Sequence, residues 1–252
     1  MLISIITVVK NNASTIERCV SSVLSQTKVN LEYIIIDGYS DDGTWEKLKG
    51  LKKLNNEITL IRYADKGIYD ALNKGYEVAS GDFVGILNSD DFYCRKTYLN
   101  EIFSTSQKGV DVIQTDCYTV PYNDINKKLY FKAIKPTKFI LQITGSLLNN
   151  PHTSLFFSNR VYKSELRYSV DFASSADFIY LYDVLLNNSF TTKYMPISGI
   201  CFSRGLSNTS DSEIASRENK FIYTKIGSKR IFRMIGKMIF LVRNYRRVWA
   251  KL

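Results

Sequence analysis

From its first residues the chain alternates short apolar runs with stretches of helical period. "LISIITVV" is followed by "ASTIERCVSSVLSQT", in which Ile16, Val20, Val23 and Leu24 make one stripe, then by "LEYIIID" and by "DDGTWEKLKGLKKL". "EITLIRY" repeats the strand pattern. "GIYDALNKGYEVAS" carries Ile68, Leu72, Tyr76 and Ala79 as a helix, and "DFVGIL" supplies a fourth strand. Strand and helix in regular alternation imply a single Rossmann-like, mostly parallel α/β sheet with helices on both faces. Ligands of such sheets bind beyond the carboxyl ends of the strands. Here those ends read "KNN", "DGYSDDG", "ADKG" and "NSDD", and three of the four are acidic.

After about residue 110 the regularity fades. "VDVIQTD" reads as a strand, 117–135 as a meander rich in Tyr and Lys, and "TSLFFS" as another strand. "SSADFIYLYDVLLNN" reads as a helix with a serine N-cap and an asparagine pair near its end. No Pro/Gly/Ser-rich linker and no internal repeat divides the chain. Residues 1–225 are therefore expected to form one domain, with a regular half at 1–95 and a less regular half at 96–225, followed by a tail at 226–252.

Composition changes this picture in two places. At 252 residues and 45% apolar content the chain can bury a proper core. Cys19, Cys94, Cys117 and Cys201 lie far apart with no C-x-x-C pair, which suits reducing, cytoplasmic surroundings. The opening apolar run has no basic region before it and no small-residue cleavage site after it, so it reads as a strand rather than a signal peptide. No stretch approaches the roughly 20 apolar residues of a membrane span. The net charge of +10 suggests nucleic acid until it is located: residues 220–252 hold ten Lys or Arg and no acid, leaving 24 basic against 24 acidic residues elsewhere. The basicity belongs to the tail, and no nucleic-acid partner is expected.

The chemistry is concentrated at the acidic strand ends. Asp90 and Asp91 stand side by side where the fourth strand ends, an unfavourable arrangement unless water, a helix cap or a cation relieves it. Asn-Ser-Asp is ordinary turn chemistry. The functional reading is a site for hard Mg²⁺ or Mn²⁺, which takes one or two carboxylates and completes its shell with a substrate's phosphates. Asp37, Asp65 with Lys66, and Asn73 with Lys74 each admit a local reading as turn, surface pair or wet helix face, but topology brings their segments to one edge of the sheet.

These residues also suggest a family. "SIITVVKN", "IIIDGYSDDGT", "DKGIYDALNKGYEVASGDFVGILNSDDFY" and the later "SSADF" resemble the family 2 glycosyltransferases of the GT-A fold, especially bacterial polysaccharide enzymes of the colanic-acid or O-antigen type. The likeness is continuous over about residues 1–95, patchier to about 205 and absent from the tail. It implies inverting transfer of a sugar from a nucleoside-diphosphate donor to a saccharide acceptor, expected here to be lipid-linked. By the same resemblance Thr7, Val9, Asn11 and Asp37 hold the nucleoside, Asp65 and Lys66 close over base and ribose, and Asn73 and Lys74 lie near the nucleotide. Asp91 is assigned to the metal and Asp90 to the donor's ribose or sugar, with the metal shared.

A base for the acceptor hydroxyl is expected on a different element from the metal. Asp177 matches the family's position for it, although Ser174 and Asp177 also have capping-box spacing. Asp171 is the nearest rival. His152, the single histidine, is placed at the start of a strand as a contact to substrate or metal. Arg204, in "SRGLS", stands where the family usually has glycine and is read as a phosphate contact.

The tail interleaves Ile226, Ile231, Ile235, Met238, Phe240, Leu241 and Trp249 with Lys and Arg, the pattern of a basic amphipathic helix on an anionic membrane surface. Packing on the domain or on a partner subunit is the alternative, and a homo-oligomer stays open. A nucleotidyltransferase would share sheet and metal but should carry a Gly-rich loop after the first strand, where "VVKNNAST" has no glycine. A non-catalytic membrane- or nucleic-acid-binding module would leave the acidic loops without a purpose.

Overall fold

The computed structural model describes residues 1–105, 107–121, 124–133, 151–186, 189–204 and 212–225. Strands β1 (Leu2–Val9), β2 (Asn30–Asp37), β3 (Ile58–Arg62) and β4 (Phe83–Ile86) alternate with helices α1 (Ile16–Leu24), α2 (Thr44–Leu54) and α3 (Ile68–Val78). Then come β5 (Phe92–Tyr93), α4 (Tyr98–Phe103), β6 (Val112–Pro121) and β7 (Leu129–Phe131). A 3-10 turn (His152–Ser154), β8 (Leu155–Ser158), α5 (Asn159–Tyr162), α6 (Ala176–Leu186), β9 (Thr192–Arg204) and α7 (Ser212–Lys225) follow.

One sheet runs β3-β2-β1-β4-β8-β6-β9-β5, with β7 paired to β6. Its first four strands are parallel, as the alternation implies. Beyond β4 the pairing is mixed: β8 is antiparallel to both β4 and β6, β9 runs parallel to β6, and β5 is antiparallel to β9. The unbroken parallel order thus belongs to residues 1–86, whereas in the second half the parallel pair β6 and β9, whose connection includes α6, is flanked by antiparallel neighbours.

The uninterrupted apolar runs are explained by a core on each side. From β1, Ile3, Ile5 and Val9 point into a cluster with Ile16, Val20 and Val23 of α1, whereas Ile6 and Val8 point into another with Leu72 and Tyr76 of α3. Tyr33 and Ile35 of β2 join the first cluster, and Ile34 and Ile36 the second. With successive side chains on opposite faces, a strand buried on both carries few polar positions before it ends. In β1 these are the buried Ser4 and Thr7, and the charged and amide side chains gather in the loops at the carboxyl edge.

The second cluster continues into α6 through Phe178, Tyr180, Leu181 and Val184, with Tyr76, Tyr168 and Tyr180 packed together beneath the carboxyl edge. Helix α7 belongs to the same body: Glu218 accepts from the Ala173 and Ser174 amides, and Phe221 meets Phe172 with ring centroids 5.9 Å apart. The tail at 226–252 lies outside the described residues.

Candidate active site

Hydrogen bonds join the loops at the carboxyl edge. The Asn11 amide donates to Ser40 Oγ and the Asp41 amide to Asn11 Oδ1, both at 2.9 Å, linking the loops after β1 and β2. Asn12 Nδ2 donates to Ser89 Oγ and Thr15 Oγ1 to the Ser89 carbonyl, both at 2.8 Å, linking the first loop to the one after β4. The loop after β3 closes on the loop after β2. A Cβ at Gly38 would lie 2.5 Å from Asp65 Oδ2, so only glycine lets that carboxylate approach. Gly67, at φ +125°, then turns the chain into α3 while its amide donates to Asp65 Oδ1 at 3.0 Å.

Asp37 is fully buried at the end of β2. Its Oδ2 accepts the Ser40 amide at 3.1 Å and faces Arg62 Nε at 3.4 Å, while Oδ1 is buried and meets no hydrogen-bond donor among the described residues. An unpaired buried acceptor costs roughly 1–3 kcal/mol, more when charged, so this oxygen is an unmet acceptor at the carboxyl edge. Arg62 is held with its guanidinium 4.7 Å from the Tyr39 ring centroid and 4.8 Å from that of Trp45.

The two neighbouring acids after β4 differ. Asp91 is fully buried, with Oδ1 accepting the Ser203 amide at 2.8 Å and Oδ2 accepting Asn88 Nδ2 at 3.1 Å. Burial, with the charge of Asp90 second, pushes its carboxyl well above the ordinary range. Asp90 is less enclosed; its carbonyl accepts from Ser203 Oγ (2.6 Å) and Arg18 Nη2 (2.8 Å). Burial raises the Asp90 carboxyl too, against the pull of its own amide and of the charges on Arg18 and His152. Both shifts describe carboxylates whose negative charge lacks a sufficient counter-charge.

A Mg²⁺ or Mn²⁺ ion fits this donor set. No group of three His, Cys, Asp or Glu side chains converges as a metal cage among the described residues. Two adjacent, under-neutralised carboxylates suit a hard cation that takes its remaining oxygens from water and a substrate's phosphates.

Across the edge, His152 Nδ1 lies 3.3 Å from Asp177 Oδ2, and the Tyr69 hydroxyl donates to Asp177 Oδ1 at 3.4 Å. His152 Nε2 is buried and meets no partner among the described residues. The 3-10 turn that carries His152 packs against β4 and β9, the strands that lead to Asp90 and carry Ser203, so the His152–Asp177 pair and the acidic pair lie at the same end of the sheet. Asp177 does not close a capping box with Ser174. The amides before α6 are taken by Glu218, and Asp177 Oδ1 accepts the amide of Phe178 at 2.8 Å instead. His152 lies in the 3-10 turn rather than at the start of β8. Asp171 is exposed and, among the described residues, bonds to Ser169.

The other expected contacts have varied settings. Thr7 points into the core, its hydroxyl 3.1 Å from Tyr33 OH, and Val9 is buried in the same cluster. Asn73 is committed to the fold: its Nδ2 donates to the Tyr168 carbonyl at 2.8 Å and its Oδ1 accepts the Tyr168 amide at 2.9 Å. Lys74 pairs with Glu77 at 3.0 Å on the exposed side of α3. Lys66 is exposed, with its amide donating to Asp70 Oδ2 at 2.9 Å. Arg204 ends β9, and its side chain lies outside the described residues.

Residues the sequence did not single out complete the site. Ser203 reaches it from β9, Arg18 lies 4.7 Å over the Phe92 ring while bonding the Asp90 carbonyl, and Tyr69 reaches up from α3. Only Tyr69 carried a local signal, being an aromatic residue in the first turn of a helix that follows an acidic loop.

The model of glycosyl transferase family 2 matches residues 4–170. The chain belongs to this family. Among curated relatives, glycosyltransferase GlyG of Streptococcus pneumoniae serotype 4 is 28% identical over 131 residues, covering 52% of this chain and 43% of GlyG. The chain thus spans less than half the length of that relative. S. aureus TarS 1-349 in complex with UDP-GlcNAc superposes with a TM-score of 0.68 at 16% identity, covering 90% of this chain and 71% of that one. The mannosyltransferase PcManGT of Pyrobaculum calidifontis, in complex with GDP-Man and Mn²⁺, gives 0.62 at 16% identity, covering 86% and 60%. At those identities the superpositions establish the fold, a mixed α/β sheet of GT-A type. Family membership also leaves the nucleotidyltransferase alternative without support.

Proposed function

We propose that the chain is an inverting, metal-dependent glycosyltransferase that moves a sugar from a nucleoside-diphosphate donor to a lipid-linked saccharide acceptor in the synthesis of a bacterial surface polysaccharide of the O-antigen or lipopolysaccharide type. The observation that carries this reading is the meeting, at one strand edge, of an under-neutralised carboxylate pair and the separate His152–Asp177 pair. Family 2 membership and the nucleotide sugars bound by TarS and PcManGT support it.

In this reading Asp37 Oδ1 and Asp65 receive the nucleoside, with Asn11 at the rim. Asp90 and Asp91 would hold Mg²⁺ or Mn²⁺, which neutralises charge developing on the diphosphate leaving group. Asp177 accepts the proton of the acceptor hydroxyl as that oxygen attacks the anomeric carbon from the face opposite the diphosphate, which inverts its configuration. His152, donating from Nδ1, and Tyr69, donating from its hydroxyl, hold the Asp177 carboxylate so that a lone pair faces the acceptor. His152 Nε2 is left for the diphosphate, the metal or the acceptor, and Arg204 for a phosphate.

The basic tail is read as the attachment to an anionic membrane surface, placing the enzyme at the inner face of the cytoplasmic membrane. No helix among the described residues is long and apolar enough to cross a membrane. Removing residues 226–252 should release the protein from anionic vesicles without changing donor hydrolysis; a truncated protein that still floats with vesicles overturns the assignment.

The donor reading is tested by screening nucleoside-diphosphate sugars for thermal stabilisation with and without Mn²⁺. A ligand at a hundred times its Kd stabilises by about 2.7 kcal/mol. One base class should raise the midpoint, further with Mn²⁺. No response to any of them, with or without metal, would sink the proposal.

A further inference from the structure

Two thiols stand directly behind the acidic pair, and none of the chemistry above uses them. Cys94 follows β5, three residues after Asp91, and Cys201 lies in β9, two residues before Ser203. Phe92 pairs with Cys201 across these antiparallel strands, and the Cys94 amide donates to the Gly199 carbonyl at 2.8 Å, so the two cysteines are diagonal neighbours. They share one small apolar cluster with Phe92 and Val120. Cys201 is fully buried, whereas Cys94 is partly exposed.

Their environments divide the roles of attacking and resolving thiol. Cys94 is the thiol that solvent reaches, and its neighbour Cys201, with the charges of Lys128 and Arg95, holds it below the ordinary thiol range in spite of burial, while Cys94 and burial push Cys201 up. Cys19 shows the opposite condition, with burial pushing its thiol up to about 12. A partly exposed thiolate beside a protonated thiol is the arrangement in which oxidation proceeds to a disulfide.

We propose that Cys94 and Cys201 form a reversible disulfide that ties β5 to β9 and thereby sets the position of the Asp90–Asp91 pair. The oxidant is a hydroperoxide. The Cys94 thiolate attacks the outer peroxide oxygen, breaking the O–O bond and releasing an alcohol, or water from hydrogen peroxide, and becomes a sulfenic acid. Cys201 then attacks that sulfur, the S–S bond forms and water leaves. Two thiols are oxidised and one peroxide is reduced. A dithiol reductant reverses the bond by exchange. Diagonal positions bridge only with backbone adjustment, which keeps such a bond reducible. The adjustment falls on β9 just before Ser203, whose amide and hydroxyl hold Asp91 and the Asp90 carbonyl. The consequence for metal binding rests on the metal reading given above; the disulfide itself does not.

The test treats the full chain with equimolar hydrogen peroxide, blocks remaining thiols, and maps unreduced peptides by mass spectrometry. A peptide linking Cys94 to Cys201 should accumulate at least tenfold faster than Cys19 or Cys117 is oxidised, and should disappear on treatment with dithiothreitol. Cys94→Ser should abolish the link while retaining the native thermal midpoint, and in Cys201→Ser Cys94 should stop at the sulfenic or sulfinic acid. Oxidation of Cys94 without linkage in the unmutated chain, or oxidation no faster than that of Cys19, overturns the proposal. In a separate arm, the thermal shift given by Mn²⁺ alone should differ between the reduced and linked forms. A linked form with the reduced protein's Mn²⁺ shift overturns the coupling to the acidic pair, whereas the absence of any shift in both forms counts against the metal reading instead.

Discussion

Asn73 separates a structural from a nucleotide-binding role more cleanly than any other residue near the site. Its amide takes both the N–H and the C=O of Tyr168, fixing the loop before α6 to α3. Asn73→Ala removes two hydrogen bonds and leaves two partly buried backbone groups without their partner. Each such loss costs about 1–2 kcal/mol, and alanine's better helix propensity returns about 0.5 kcal/mol, so we expect a net loss of about 1.5–3.5 kcal/mol. For a chain of this size that lowers Tm by roughly 3–14 °C. Asn73→Asp should be at least as damaging, because it sets a carboxylate oxygen against the Tyr168 carbonyl. Tyr168 stacks against Tyr69 at 5.8 Å, and Tyr69 bonds Asp177, so turnover should fall a few-fold while donor affinity holds. Calorimetry and titration with the donor nucleotide read the two effects separately. Native stability combined with weakened donor binding would refute this argument and return Asn73 to the nucleotide.

Asp91→Asn should stabilise the metal-free protein near neutral pH. The raised native carboxyl means that the folded chain keeps its proton where the unfolded chain has lost it, so stability falls as pH rises from about 4 through the raised value. The asparagine removes that slope, and Asn88, whose Oδ1 meets no partner among the described residues, can turn its amide to accept from the new NH₂ group. A lower metal-free midpoint at neutral pH, or an undiminished response to Mn²⁺, would contradict the assignment. Gly75→Ala should destabilise by about 1–3 kcal/mol despite the gain in helix propensity, since its Cβ would lie 2.6 Å from Cγ2 of the fully buried Ile6. A raised Tm would show that α3 lifts from the sheet more easily than its packing suggests.

The regular half of the fold was legible because its signals are local. Strands buried on both faces and helices with one apolar stripe announce themselves within ten residues. The packing roles of some expected site residues were legible too. Thr7 shares the strand parity of Ile3 and Ile5, which already directs it to the core, and Asn73 falls on the helix face of Tyr69 and Tyr76. Motif position overrode periodicity in both cases. Strand β9 was missed for a different reason: "TKYMPISGICFSR" contains Pro196 and Gly199 and pairs with β6 through shifts in register, so neither alternation nor an unbroken apolar run marks it. Ser203 was invisible with it. The contact between His152 and Asp177 spans 25 residues of sequence and depends on how the second half folds back on the sheet. No local pattern encodes that closure.

The central claim is that Asp177 takes the proton of the acceptor, and Asp177→Asn tests it most directly, with sugar transfer and donor affinity measured on one preparation. The asparagine keeps the size of the side chain and an oxygen to accept from Tyr69 and the Phe178 amide, but it cannot hold the acceptor's proton. Transfer should fall by at least 10²-fold, with donor affinity and thermal stability close to those of the unmutated chain. Transfer within a few-fold of that of the unmutated chain, or loss of donor affinity and stability in proportion to loss of transfer, would contradict the account.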